Sequence, residues 1–118
     1  MEVAALEDVF APLGPVQIRR MFGGRGIYAD GLMFALEIGG VIYLKTCEAN
    51  RSAFRESGSE PFRYVSRGAE RETSYWRLPD NALDDPDILA GWVTLARQAA
   101  TTTATVRRRG SLARKLPR

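Results

Sequence analysis

Residues 20–45 read RMFGGRGIYADGLMFALEIGGVIYLK and alternate apolar runs with glycine-containing turn signals. Asp30-Gly31 lies between GIYA and LMFALEI, and Asp-Gly readily supplies the two positive-φ residues of a type I′ turn. Gly39-Gly40 repeats this signal before VIYLK. The sequence therefore predicts consecutive antiparallel strands at about 16–22, 25–29, 32–38 and 41–46.

Strict alternation of side chains divides the last three of these strands into two faces. The face expected to line the core carries Ile27, Ala29, Leu32, Phe34, Leu36, Ile38, Val41 and Tyr43. The opposite face is unusually apolar for a sheet surface in water, and it carries Tyr28, Met33, Ala35, Glu37, Ile42 and Leu44. We expect a second copy of the chain to cover this outer face in a homodimer, with contacts at Tyr28, Met33, Ile42 and Leu44.

Length and composition favour a single soluble domain. With 118 residues, the chain can bury enough surface to fold without a disulfide or a metal. Its only cysteine, Cys47, cannot form an internal bridge, and no apolar run approaches the ~18 residues of a membrane span. These features predict a cytoplasmic protein with no membrane contact. The chain has no histidine, the commonest general base and metal ligand, so we expect no catalytic residue, no metal and no cofactor.

The net charge of +3 is unevenly distributed. Six of the 17 Lys and Arg residues lie in 107–118, so the remaining 11 face 14 Asp and Glu and leave residues 1–106 at −3. The C-terminal segment is too charged and too poor in apolar residues to fold alone, so 101–118 is predicted to be a disordered basic tail. Such a tail either aids solubility or makes weak, nonspecific contacts with nucleic acid, here through Arg107, Arg108, Arg109, Arg114 and Lys115.

Helical patterns flank the strands. Apolar spacing predicts a helix over residues 2–11, a short helix between Cys47 and Gly58, and a last helix that begins at Asp85-Pro86 and ends near residue 100. PFRYVSR and TSYWRLP read as two further strands. The order α-β-β-β-α-β-β-α predicts a two-layer α+β domain, in which an antiparallel sheet of five to six strands has its helices on one face.

Several runs together resemble the N-terminal domain of the TfoX/Sxy family of competence regulators over about residues 5–100. They are Arg20-Met21-Phe22-Gly23-Gly24, Gly26-Ile27-Tyr28, Asp30-Gly31-Leu32-Met33-Phe34-Ala35, Tyr43-Leu44-Lys45, Phe54, Gly58, Pro61-Phe62, Tyr64, Ser74-Tyr75, Leu78-Pro79, Trp92 and Ala96. The resemblance implies a bacterial α+β domain similar to type III secretion chaperones. It also implies a regulatory role, since full-length members help the cyclic-AMP receptor protein to activate genes for DNA uptake, and no known catalytic residue.

Two features depart from the family pattern. Full-length regulators continue into a second, helical domain, whereas this chain is expected to be a single-domain member, with the family domain over 1–100 and the basic tail over 101–118. Cys47 stands where relatives often have Asp.

The Gly23-Gly24-Arg25-Gly26 segment could bind an anion through its backbone amides, with Arg20 and Arg25 as side-chain contacts. It lacks the third glycine of a dinucleotide fingerprint, because position 29 is alanine, and it leads into a strand. A tight bend between strands is therefore the simpler interpretation. A small-ligand or nucleotide-binding module that uses this loop is the alternative to a regulatory domain.

Three further groups of residues each allow two interpretations. Cys47 is either a reactive thiol at a helix start or a structural residue. The aromatic residues form either a stacking platform for single-stranded nucleic acid or ordinary sheet packing; they are Tyr28, Tyr43, Tyr64, Tyr75 and Trp76. The acids form either a cation site or a helix start; they are Asp80, Asp84, Asp85 and Asp87. In each of these three cases the structural interpretation is favoured. For the whole chain, the preferred function is a non-enzymatic regulatory or adaptor domain that acts on an unidentified protein partner.

Overall fold

A computed structural model describes residues 2–21 and 23–115, with side chains described as far as Arg107. The helices are α1 (Val3–Phe10, followed by a 3-10 turn at Ala11–Leu13), α2 (Glu48–Glu56) and α3 (Pro86–Lys115). The strands are β1 (Gln17–Met21), β2 (Gly24–Ala29), β3 (Leu32–Ile38), β4 (Val41–Lys45), β5 (Pro61–Ser66) and β6 (Ala69–Arg77). This confirms the predicted two-layer α+β architecture.

The six strands form one antiparallel sheet in the order β1-β2-β3-β4-β6-β5. Both predicted hairpin turns are present. Asp30 and Gly31 have φ values of 52° and 78°, and Gly39 and Gly40 have values of 58° and 85°. Because both residues of each turn have positive φ, each matches the twist of its flanking strands and fixes the β2–β3 and β3–β4 pairing.

A β-bulge changes the register predicted for β3. Ile27 pairs with Ala35 while Tyr28 pairs with Met33, so Phe34 is an extra residue on β3. Ala35 then pairs with Leu44. Since cross-strand partners point to the same side of a sheet, Ala35 and Leu44 share the face of Ile27.

The resulting two faces differ from the strict alternation that the sequence predicted. The covered face packs against the helices and carries Ile27, Phe34, Ala35, Ile42, Leu44 and Trp76. The rings of Phe10 and Phe34 meet edge to face, with centroids 5.6 Å apart. The open face carries Met21, Tyr28, Met33, Leu36 and Tyr43, none of which belongs to the core cluster of the described residues.

Two sets of predictions about these faces were therefore wrong. Ile38, Val41 and Tyr43 were expected in the core but lie on the open side of the sheet, and Leu36 is buried as expected, at 9% exposure, but also faces the open side. Ile42 and Leu44 were expected on the outer face but are 3% and 0% exposed in the core. The physical reason is the single extra residue at Phe34, which reverses the facing of every later position in β3 and β4.

Helix α3 begins as predicted, because the carboxylate of Asp85 accepts hydrogen bonds from the backbone N–H groups of Asp87 and Ile88 at 2.9 and 3.3 Å. The prediction that it ends near residue 100 was wrong, since it continues to Lys115. Ala100 is buried and Thr103 and Ala104 are half-buried, so tertiary packing outweighs the weak helix propensity of the threonine run. The division into a 1–100 domain and a tail stays a prediction. In the described part of the chain, no helix is long and apolar enough to cross a membrane.

Candidate functional site

The turn between β1 and β2 brings together the four residues predicted to contact an anion. Arg20, Gly23, Gly24 and Arg25 line a cavity of about 430 Å³, together with Met21 and Glu37. Arg20 is exposed, and Gly23 has a φ of 77°, which favours glycine. The predicted loop therefore exists as a concave surface.

Glu37 occupies the inner wall of this cavity and pairs with Arg25. Arg25 Nη1 lies 3.1 Å from Glu37 Oε1, and the backbone N–H of Gly40 donates to Glu37 Oε2 at 3.0 Å. Burial alone would raise the pKa of Glu37, but the hydrogen bonds from Gly40 and Arg25 outweigh it and hold the pKa below its usual value. Arg25 is thus held by a carboxylate of the protein, which lowers its capacity to attract an external anion.

The glycines of this segment have a packing role. A Cβ at Gly26 would lie 2.6 Å from Met33 Sδ and 2.8 Å from Met21 Sδ. A Cβ at Gly24 would collide with the carbonyl oxygen of Glu37. Close approach of neighbouring strands and side chains accounts for both glycines, so the structural interpretation of the segment is the better supported one.

The open face combines methionines and aromatic rings. Tyr28 packs beneath the guanidinium of Arg19 at 5.0 Å, and the rings of Tyr43 and Phe62 lie 5.1 Å apart. The side chains of Tyr28 and Met33, two of the four predicted dimer contacts, are half-buried here. This apolar face lies opposite the core cluster, and α3 reaches it at Met33, which lines a cavity together with Ala100 and Ala104.

The predicted aromatic platform does not form as one surface. Tyr28 and Tyr43 lie on the open face, whereas Trp76 is 6% exposed in the core. Tyr64 is 46% exposed, and both Tyr64 and Tyr75 line a separate cavity at the end of β4.

Lys45, at the end of β4, is only 8% exposed. Its Nζ donates to Ser74 Oγ at 2.6 Å and lies 5.1 Å from the centroid of the Tyr75 ring. Burial, and to a smaller extent the positive charges of Arg107 and Arg51, lower the pKa of Lys45 below its usual value. Burial also raises the pKa of Tyr75 to about 12.

The Lys45 cavity, as we name it, has a volume of about 500 Å³ and separates Lys45 from the C-terminal half of α3. Its walls include Leu32, Met33, Lys45, Tyr64, Glu72, Thr73, Ser74, Tyr75, Ala100, Thr103, Ala104 and Arg107. The carboxylate of Glu72 is engaged by Arg63 at 3.2 Å. Sequence analysis missed this site, because it depends on α3 extending past residue 100.

A model of the TfoX N-terminal domain matches residues 8–100. The chain belongs to the TfoX N-terminal domain family. No curated protein matches the chain at a significant level. The TfoX N-terminal match includes the β1–β2 turn, the open face and Lys45, whereas Arg107 lies beyond it.

The remaining candidates of this TfoX domain have structural partners. Cys47 is half-buried at the start of α2, and its backbone N–H donates to Asn50 Oδ1 at 3.0 Å. Asn50 Nδ2 in turn donates to the carbonyl oxygen of Leu95 at 3.0 Å and joins α2 to α3. Asn50 is a buried polar residue that sequence analysis missed.

The structure assigns a helix-capping role to Asp85 among the predicted acidic residues, and it places only Arg107 of the predicted basic tail contacts. Asp85 caps α3, and within the described ranges no group of three or more Cys, Asp or Glu side chains is placed to hold a metal ion. Arg107 lines the Lys45 cavity. The side chains of Arg108, Arg109, Arg114 and Lys115 lie outside the described part of the structure, so nucleic-acid contact through the tail stays a prediction.

Proposed function

We propose that this TfoX N-terminal domain is a non-enzymatic regulatory or adaptor domain of the bacterial cytoplasm that acts through protein contacts. The observation that carries the proposal is the open face, where Met21, Leu36 and Tyr43 form an apolar surface on the side of the sheet opposite the core cluster of the described residues. Methionine and aromatic side chains are enriched in protein interfaces, and contiguous apolar patches mark interaction sites.

The first partner we propose for this face is a second copy of the chain. A two-fold dimer places one apolar face against its equivalent and removes both from water in a single step. Arg19, stacked on Tyr28, lies on this same side of β1 and supplies a cation at the rim. A regulatory protein partner would engage the same face or displace one subunit.

The composition supports a role without catalysis. The chain contains no histidine, and its one cysteine has no second cysteine to resolve an oxidised thiol. The small-ligand alternative at Gly23-Gly24-Arg25 is less well supported, because Glu37 already binds Arg25.

The proposal is tested by light scattering and chemical cross-linking at tens of micromolar protein. The substitution Tyr43→Glu places a charge at the centre of the open face, whereas Val65→Glu places the same charge on β5, where the residue is already 72% exposed. We expect the wild type and the Val65→Glu variant to self-associate and the Tyr43→Glu variant to be monomeric. Circular dichroism of both variants checks that each is folded.

Two results would overturn the proposal. One is a wild-type protein that stays monomeric and captures no protein from a bacterial extract. The other is equal self-association of folded Tyr43→Glu and Val65→Glu variants.

A further inference from the structure

We propose that the Lys45 cavity binds a small anionic molecule whose carboxylate or phosphate group is held by Lys45 and Arg107. This site lies apart from the β1–β2 turn and shares Met33 with the open face, and its function is additional to protein contacts at that face. The ligand class follows from the charge, the size and the lining of the cavity.

The charge of Lys45 has no counter-charge within the described protein. The cations Arg25, Arg63, Arg77 and Arg97 each lie within 4.0 Å of a carboxylate. Lys45 is more buried than any of them, yet its hydrogen-bond partner in the described residues is the neutral hydroxyl of Ser74. Burying a charge is costly unless it is paired, so an external anion at Nζ would remove a cost that the free protein carries.

The electrostatic surroundings of Lys45 strengthen this argument. Arg107 reaches the same cavity from α3, and Arg51 acts on Lys45 from α2. Both are cations, and their effect on the pKa of Lys45 is larger than the opposing effect of Cys47, so the protein adds positive potential to a lysine that already lacks a carboxylate. The one carboxylate on the wall, Glu72, is bound to Arg63. A concave surface with potential of one sign concentrates ligands of the opposite sign.

The size and lining of the cavity define the rest of the ligand. A volume of about 500 Å³ lies within the range of small-molecule sites. Leu32, Met33, Ala100 and Ala104 give it apolar walls, and the Tyr75 ring lies beside Lys45 Nζ. The site therefore suits an anion with a compact apolar or aromatic body rather than a free inorganic ion.

The experiment titrates the full chain with phenyl phosphate, benzoate and inorganic phosphate at low salt, followed by calorimetry and by amide chemical shifts. We expect saturable binding of phenyl phosphate or benzoate, tighter than that of inorganic phosphate, with shifts at Lys45, Ser74 and Tyr75. Lys45→Met should weaken binding by about tenfold or more, because hydrogen bonds to charged groups contribute most to such contacts. Arg107→Gln should weaken it by a smaller factor.

Arg20→Gln is the matched control, because it removes a cation from the β1–β2 cavity and leaves the Lys45 cavity intact. Binding of none of the three probes to the folded wild type would overturn the proposal. So would equal affinity of the wild type and Lys45→Met, or loss of binding in Arg20→Gln alone. Light scattering of Lys45→Met should still show the association expected at the open face, which separates failure of this site from failure of the proposed function.

Discussion

Arg25 and Lys45 are two poorly exposed cations of the same sheet, and the fold treats them differently. The Arg25 side chain is 20% exposed and faces the carboxylate of Glu37 at 3.1 Å, with Glu37 itself held by Gly40. Lys45 is 8% exposed and donates to a serine hydroxyl. The charge of Arg25 is balanced by a carboxylate of the protein, so Arg25 has a structural role. The charge of Lys45 has no such carboxylate, and we propose that an external anion balances it.

The largest effect is expected when the neutralised cation loses its partner. Glu37→Leu leaves Arg25 without this carboxylate and removes the acceptor of the Gly40 N–H. Breaking a buried ion pair from one side costs about 3 kcal/mol or more, and partial exposure of Arg25 places the cost at the low end of that range. Urea denaturation followed by tryptophan fluorescence measures the change in the free energy of unfolding.

The double variant Arg25→Leu/Glu37→Leu is the control for this experiment. It should recover much of the lost stability, because neither charge then remains without its partner. If the free energy of unfolding of Glu37→Leu is within about 0.5 kcal/mol of the wild-type value, the Arg25–Glu37 pair does not stabilise the fold.

Removing the charge of Lys45 should change the free energy of unfolding by less, and should raise it. Lys45→Met keeps an unbranched side chain that is one atom shorter and removes a buried charge, so it should raise the free energy of unfolding by about 1 kcal/mol at neutral pH. Because the folded pKa of Lys45 lies below its usual value of 10.5, the cost of burying the charge is present at lower pH and is relieved as the pH rises toward 10.5. The advantage of Lys45→Met should therefore shrink in alkaline solution.

Lys45→Arg keeps the charge and serves as the control. In urea denaturation at neutral pH, the free energy of unfolding of Lys45→Arg should not exceed that of the wild type. A gain equal to that of Lys45→Met would mean that packing, and not charge, determines the effect.

Acid should weaken the Arg25–Glu37 pair more gradually. The folded pKa of Glu37 lies below its usual value of 4.5, so its stabilising contribution is present above pH 4.5 and is lost as the pH falls through the folded pKa. The wild type should consequently lose stability more steeply below pH 4.5 than Glu37→Gln does. Thermal unfolding of both proteins between neutral and acid pH measures the difference, and parallel curves would contradict the assignment.

The smallest change in the free energy of unfolding is expected for the exposed ion pair between Arg97 and Asp30. Arg97 Nη2 lies 2.9 Å from Asp30 Oδ2, but the two side chains are 45% and 87% exposed. Asp30→Asn retains a residue that tolerates positive φ and should change the free energy of unfolding by at most about 0.5 kcal/mol. A loss as large as that of Glu37→Leu would show that proximity outweighs burial in this protein.

Sequence reasoning worked where structure is determined locally. The Asp30-Gly31 and Gly39-Gly40 turns, the start of α3 at Asp85 and the α+β order all follow from short-range patterns. It failed at the facing of β3, because one bulged residue inverts the alternation and nothing in LMFALEI specifies where it lies.

The β1–β2 turn could be predicted from the sequence, whereas the Lys45 cavity could not. Arg20, Gly23, Gly24 and Arg25 are close in the chain, and the structure brings them together as predicted. The Lys45 cavity joins β3, β4, β5, β6 and α3, and it is completed by a helix whose length depends on tertiary packing. Long-range arrangements of this kind leave no periodic pattern in the sequence.

The order of the strands also bears on how large an assembly this domain can form. The edge strands are β1, with exposed Arg19 and Arg20, and β5, which begins at Pro61 and carries exposed Arg63. Charged side chains and proline oppose the addition of further strands at an edge. Association through one self-complementary face is complete with two subunits, whereas edge-to-edge pairing continues into filaments. The charged edges thus oppose fibre growth, and the face proposed for recognition lies on the sheet surface, away from these edges.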